Sequence, residues 1–300
     1  MKRTFAGVAA AVLATVVATL VTGCASDTQH PRDAAVTAAT DRPRPLTEAE
    51  QLRVSDAQQR LIKDCMARKG FTYHEAERLS LEESRTFGYV SDDVAWAREH
   101  GYGSRIRAKH EQAKRANPNV AYRQGLPAQR RTAYDKALDE GVDAPELTAE
   151  LPSGGTVRKR VGGCVAESEK QLYGDPKAWF RAEKTAMSLQ PLYVPKAMAD
   201  ERFTAALTKW SQCMKRAGHP YRDPAEARQA AHALAFEAER KLAVADAACT
   251  RDTRLRVVGK ELETEYVNAL RGQYGEALDT YDRLRLRALA HATKLVAPRA

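Results

Sequence analysis

Four cysteines constrain this chain more tightly than any other feature, because each bridged pair must come within bonding distance without breaking the backbone structure around it. They are Cys65, Cys164, Cys213 and Cys249; a fifth, Cys24, follows an apolar leader and belongs to a separate question. Four cysteines allow three pairings. Two stand in matching contexts, Cys65-Met66-x-x-x-Gly70-x-x-Tyr73 and Cys213-Met214-x-x-x-Gly218-x-x-Tyr221. In each, the apolar residue three positions earlier, Ile62 or Trp210, shares the helical face of the cysteine, and the glycine stands where a helix C-cap takes the left-handed conformation. Cys164 and Cys249 read as lying inside other helices, where Val157, Val161 and Cys164 share one face and Leu242, Ala245 and Cys249 another. A helix-ending cysteine then meets a mid-helix cysteine twice, which predicts the bridges Cys65–Cys164 and Cys213–Cys249. A zinc site would need close pairs such as C-x-x-C, and so would a redox dithiol; neither spacing is present.

The N-terminus supplies the oxidising context that disulfides require. Met1 to Phe5 is a short basic segment, and Ala6 to Val21 is an uncharged apolar run of 16 residues, short of the roughly 20 that span a bilayer. Val21-Thr22-Gly23-Cys24 resembles the lipobox of bacterial lipoproteins. That resemblance implies removal of residues 1–23 and a diacylglyceryl group on the Cys24 thiol. It further implies acyl chains such as palmitate, and a place on the extracytoplasmic face of the cell membrane. Two acyl chains, at about 0.8 kcal/mol per buried methylene, hold a domain that one chain would hold marginally. Residues 24–46 carry Pro, Thr, Asp and Ala without a hydrophobic period and read as a disordered tether.

Composition decides the fold class. Hydrophobic residues make up 43% of the chain, but 53 of them are alanine and two are isoleucine, a helix-forming balance that argues against a β-rich fold. We expect an all-α protein, a helical bundle with a long C-terminal helical hairpin and two intramolecular disulfides, in an N-terminal half over 47–175 and a C-terminal half over 176–297. Thr47 opens the first helix, which runs to Lys69; Pro127 to Glu140 is a helix, Pro145 to Gly155 a loop, and Thr156 to Tyr173 a helix carrying Cys164. Asp175-Pro176 restarts a helix that Pro191 and Pro195 break, Asp200 starts the helix ending at Gly218, and Asp223-Pro224 opens the last segment. From Ala225 to Ala297 there is no proline, and Leu255, Val258, Leu262, Tyr266 and Leu270 begin a three-and-four repeat. One helix of 73 residues would span about 110 Å, so Gly272 and Gly275 are expected to turn it into a hairpin.

Catalytic signatures are absent. There is no G-x-S-x-G, H-E-x-x-H, S-x-x-K, P-loop or G-x-G-x-x-G, and no glutamate three residues before any histidine. The histidines (His30, His74, His100, His110, His219, His232, His291) stand apart in the chain, with His232 and His291 placed in long helices. Glu261, Glu263 and Glu265 read as a solvated helix face. The aromatic and glycine residues of 87–103 form the one stretch like a recognition loop, although packing beneath a long connection explains them more simply. No catalytic residue, metal ligand or cofactor is assigned.

The lipobox, W-x-x-C-M over Trp210–Met214, G-C-V-A-E-S-E-K-Q-L-Y-G over Gly163–Gly174 and A-x-A-D-x-x-C over Ala243–Cys249 resemble a group of secreted actinobacterial lipoproteins without an assigned activity. The resemblance covers most of 47–297 and implies an envelope location. The leading expectation is a binding or scaffolding protein of the cell envelope; the alternative is a cell-wall-active enzyme with an unrecognised site, and a transporter's solute-binding protein ranks third. Export argues against nucleic acid as a partner for the formal +9 charge. The excess concentrates between 105 and 131, where Arg105, Arg107, Lys109, Lys114, Arg115, Arg123, Arg130 and Arg131 face Glu111 alone, a basic segment suited to anionic headgroups or wall polymers. For the anchor, radiolabelled palmitate is expected to enter the wild type and not Cys24→Ser, which should leave the membrane fraction. Labelling of the variant would refute the anchor.

Overall fold

In the computed structural model, which describes residues 42–76, 80–85, 88–141 and 144–297, the chain begins with α1, Glu48–Arg68. Cys24, the leader and the tether up to residue 41 lie outside the described residues. Thr47 and Glu50 form a reciprocal capping box at the start of α1. Its end is equally ordered: the Phe71 amide donates to the Met66 carbonyl at 3.0 Å and the Gly70 amide to the Ala67 carbonyl at 3.0 Å, with Gly70 at φ 75°. The same pair of bonds closes α9, Glu201–Arg216, from His219 to Met214 at 2.9 Å and from Gly218 to Lys215 at 3.1 Å, with Gly218 at φ 84°. This is a Schellman cap twice over, so the repeated C-M-x-x-x-G motif encodes a repeated local structure. Met66 and Met214 are both fully buried beneath it.

After α1 come four shorter helices, α2 (Val94–His100), α3 (Ser104–Arg115), α4 (Pro118–Gly125) and α5 (Ala128–Asp139). Two expected elements then change. The segment read as a loop and a long helix is a β-hairpin, β1 (Glu146–Glu150) antiparallel to β2 (Thr156–Arg160), in the register Glu146↔Arg160 and Glu150↔Thr156. Alternating Leu147 and Ala149, opposite charges across the ladder and Gly154-Gly155 at φ 92° and 86° outweigh helix propensity here. Helix α6 therefore starts late, at Gly163–Tyr173. Gly163 sits at φ 57° and passes so close to the end of α5 that an added Cβ would lie 2.6 Å from the Leu138 carbonyl. Val157 is thus in a strand and Cys164 in the first turn of its helix, which corrects the mid-helix placement.

The remaining helices are α7 (Pro176–Met187), α8 (Gln190–Ala199), α9, α10 (Pro224–Ala231), α11 (Phe236–Asp252) and α12 (Leu255–Leu295). The helix opened at Pro176 ends at Met187, before Pro191, as expected, but Pro195 does not interrupt the helix that follows. Pro191 occupies the first turn of α8 and Pro195 follows four residues later, where its missing amide would have bonded only to the Pro191 carbonyl. The two long C-terminal helices are α11 and α12, and the turn between them is Thr253-Arg254, with Arg254 left-handed at φ 59°. Gly272 and Gly275 lie inside an unbroken α12, at a cost of about 1 kcal/mol each against alanine that its packing offsets. His232 lies at the C-cap of α10 rather than in a long helix.

Residues 43–297 form one compact unit whose buried side chains fall into several clusters. One core gathers Phe203, Trp210, Met214, Leu242, Leu255 and Leu262 from α9, α11 and the start of α12. The other sets Val54 and Ala57 of α1 and Leu172 of α6 against Ala288 and Ala292 near the end of α12. Ile62, Cys65, Met66, Phe71, Tyr134 and Cys164 form a third cluster around the first bridge. Among the described residues, no helix is long and apolar enough to cross a membrane. Both expected bridges are present, Cys65–Cys164 with Cα atoms 5.6 Å apart and Cys213–Cys249 with Cα atoms 5.7 Å apart. Closing the 36-residue loop limits the unfolded chain, so replacing Cys213 and Cys249 together by serine is expected to lower stability by about 3 to 4 kcal/mol in denaturant titration. A loss under about 1 kcal/mol would show that loop closure contributes little here.

Candidate functional site

The clearest concave site lies where α8 and the first two turns of α12 meet the 88–90 segment, a cleft of about 560 Å³. Three local features create it. Pro191 starts α8 at a fixed angle, the Asp200 side chain caps α9 by accepting from the Arg202 amide at 2.9 Å, and left-handed Arg254 redirects the chain into α12. Val90, Val194, Ala197, Met198, Phe203 and Leu255 make the walls apolar. Met198 is 42% exposed although its neighbours belong to the core, so apolar surface remains open at the mouth. Gly259 leaves room along the floor, since an added Cβ would make only an ordinary contact with the Phe203 ring at 3.7 Å.

Few polar groups converge on this space. The Tyr193 hydroxyl donates to Glu263 Oε1 at 3.0 Å, and burial together with that carboxylate pushes the phenol up to about 12. Lys260 Nζ lies 4.0 Å from Glu263, and Arg256 is tied to Asp92 at 2.6 Å. Among the described residues, Glu263 is the one carboxylate lining the cleft, and no Ser, Cys or His lines it. Hydrolysis by paired carboxylates, or a nucleophile with its base, would need groups this cleft does not bring together. Of the acidic run on α12, Glu263 points into the cleft, Glu265 pairs with Arg202 at 3.0 Å and Glu261 is exposed.

The 87–103 stretch serves packing first. Phe87 lies outside the described residues, whereas Tyr89 and Tyr102 pack against the core of α9 and α11, and Trp96 is buried. Two buried carboxylates of α11 hold the turn after α2. Glu239 accepts from the Tyr102 amide at 2.8 Å and the Ser104 amide at 3.3 Å, and also from the Ser104 hydroxyl. Asp246, 4% exposed, accepts from the Tyr102 hydroxyl at 2.9 Å, the Trp210 indole at 2.9 Å and the Thr250 hydroxyl at 3.2 Å. Three donors satisfy the carboxylate without a cation in contact. Gly88, Tyr89 and Val90 nevertheless line the cleft, so the same stretch both packs and contributes a wall.

The basic segment is divided among separate local contacts. Lys109 pairs with Glu83 at 2.9 Å, Lys114 with Glu111 at 2.7 Å, and Arg123 with Asp135 at 2.5 Å. Arg105 stacks over the Phe236 ring, 3.6 Å from its centroid. Arg107 donates to the Tyr102 carbonyl, Arg130 to the Gly70 carbonyl, and Arg131 to the carbonyls of Gln124 and Leu126. Arg115 is exposed. The local excess counted along the sequence omitted Glu83 and Asp135, which tertiary structure and the next helix bring to the same side chains.

No family model, curated protein or solved structure matches this chain.

The site yields one electrostatic prediction. Burial raises the pKa of Asp246 above that of the unfolded chain, against the three hydrogen bonds that lower it. A carboxyl raised in the folded state stabilises most when protonated, so its contribution falls as pH climbs through and above the ordinary carboxylate range. Asp246→Asn is expected to lose more stability at pH 4 than at pH 7, measured against wild type by denaturant titration. A gap that widens with pH would contradict the assignment.

Proposed function

We propose that the chain is a lipid-anchored binding protein on the extracytoplasmic face of the cell membrane, and that the cleft between α8 and α12 holds a small amphipathic molecule. The observation that carries this reading is the lining itself: an apolar trough of ligand size, with a tyrosine–glutamate pair, Gln190, Arg256 and Lys260 among its polar groups. Binding clefts are mostly apolar with a few placed polar groups, and about 300–1,000 Å³ is their usual range. The two disulfides support an oxidising compartment, in keeping with the leader and Cys24. The likeness to secreted actinobacterial lipoproteins points to the same compartment. A cell-wall enzyme is the weaker reading, because among the described residues the cleft offers neither two convergent carboxylates nor a histidine near a nucleophile. The basic segment is a weaker docking surface than its sequence implies, with three of its eight cations already paired to carboxylates.

Gly259→Leu tests the cleft, because its side chain has to project across the floor toward Phe203. Titration with a fluorescent apolar amine such as N-phenyl-1-naphthylamine is expected to show one saturable site in the wild type, weakened at least about tenfold by Gly259→Leu, that is by about 1.4 kcal/mol. Equal binding by both proteins, with circular dichroism unchanged, would place the amphiphile elsewhere.

A further inference from the structure

A second cluster lies outside the cleft, where the 80–85 segment crosses the end of α2. The Trp96 indole donates to the Glu82 carbonyl at 3.4 Å, and Arg85 pairs with Asp93 at 2.9 Å. Lys109 holds the neighbouring Glu83 at 2.9 Å. These contacts fix the segment so that the Glu82 carboxylate faces His100, whose ring packs on Trp96 with centroids 4.9 Å apart. His100 Nε2 is 3.9 Å from Glu82 Oε1 and 3.8 Å from Glu99 Oε1, beyond hydrogen-bond range of either. That nitrogen is buried from solvent and has no hydrogen-bond partner, which ordinarily costs about 1–3 kcal/mol. The three ligand-type atoms lie within 4.8 Å of one another.

We propose that Glu82, Glu99 and His100 form a binding site for a divalent transition metal of the zinc class, completed by water, that pins the 80–93 connection to α2. The inference does not depend on the cleft or its ligand. Three observations support it together. An imidazole nitrogen with two carboxylates is a donor set that zinc accepts. Zn–N and Zn–O bonds of about 2.0–2.2 Å place tetrahedral ligand atoms about 3.3–3.5 Å apart, so the two gaps from His100 to the carboxylates need to close by about half an ångström. Both carboxylates can move that far, being 54% and 71% exposed at the side chain, whereas the imidazole is fixed against Trp96. The cluster also sits at the C-terminal end of α2, whose carbonyl dipoles favour a cation. An ion there would satisfy the orphaned nitrogen and remove the repulsion between two neighbouring carboxylates in one step.

The purified, chelator-stripped protein is titrated with Zn²⁺ against a chromophoric chelator, alongside His100→Ala and Glu99→Gln. The expected result is one equivalent of zinc bound at micromolar concentration or tighter, lost in His100→Ala and weakened at least about tenfold in Glu99→Gln. Zinc is also expected to slow proteolytic cleavage within 80–93 in the wild type and not in Glu99→Gln. Glu99 is exposed, so its amide variant decides the matter if His100→Ala fails to fold. Absence of a saturable site in the wild type would overturn the proposal. Equal zinc affinity in wild type and Glu99→Gln would also overturn it, assigning the metal to other surface histidines.

Discussion

Helix α12 packs against both ends of the molecule, and that single contact surface ties the rest together. At 1.5 Å per residue its 41 residues extend about 60 Å. Leu255 and Leu262 are fully buried against α9 and α11, and some four turns beyond its middle Ala288 and Ala292 are fully buried against α1 and α6. Alanines one turn apart let the helix axes approach closely, with Ala57 presenting a similarly small surface on α1. Between these regions Tyr281 stacks on Trp179 and Trp179 on Tyr173, at 5.5 and 3.7 Å between centroids. Arg53 of α1 closes the far end by donating to the carbonyls of Thr293 and Val296, groups that the last turn leaves without helical partners.

The disulfides reinforce this arrangement at two points, the second of them in the cluster that holds Leu255 and Leu262 of α12. Each joins the last turn of a Schellman-capped helix, α1 or α9, to a neighbour, α6 or α11. The cap and the bridge act on the same few residues. A cysteine one position before a buried methionine faces the partner helix while the methionine fills the core, and left-handed glycine lets the chain leave without disturbing either. Each half carries one such junction, so neither relies only on α12 for its internal order.

Both proposed sites draw on described residues between α1 and α3. In that stretch the turn at 101–104 is held by buried Glu239 and Asp246, the 88–90 portion walls the cleft, and the 80–85 portion faces His100. Placing buried carboxylates on a rigid helix such as α11 fixes a loop through charge-assisted hydrogen bonds that the loop could not form within itself.

Much of the fold was legible along the chain because the signals were local. The repeated motif specified two caps, Thr47, Asp175, Asp200 and Asp223 marked helix starts, and each cysteine of the motif bonds a cysteine outside it, as expected, although Cys164 opens its helix and Cys249 lies in the last turn of its own. The β-hairpin was missed because its strands are five residues each and rich in charge, although Gly154-Gly155 and Gly162-Gly163 were its visible punctuation. The turn before α12 was misplaced to Gly272 and Gly275 because glycine is a weak breaker where neighbours supply packing, while Arg254 carries no signal for a left-handed turn. Glu263 and His100 were seen only as a solvated acid and an isolated histidine: Tyr193 lies 70 residues from the first, and Glu82 lies 18 residues before the second, distances that no helical period reports. The sequence by itself determined the helical class, the cap positions, the bridges and the expectation of an anchored, exported chain, since each rests on residues close together or on covalent pairing. Tertiary structure alone decided where the cleft opens, which charges are already paired and which side chains face one another, because those depend on helices far apart in the chain packing on a shared surface.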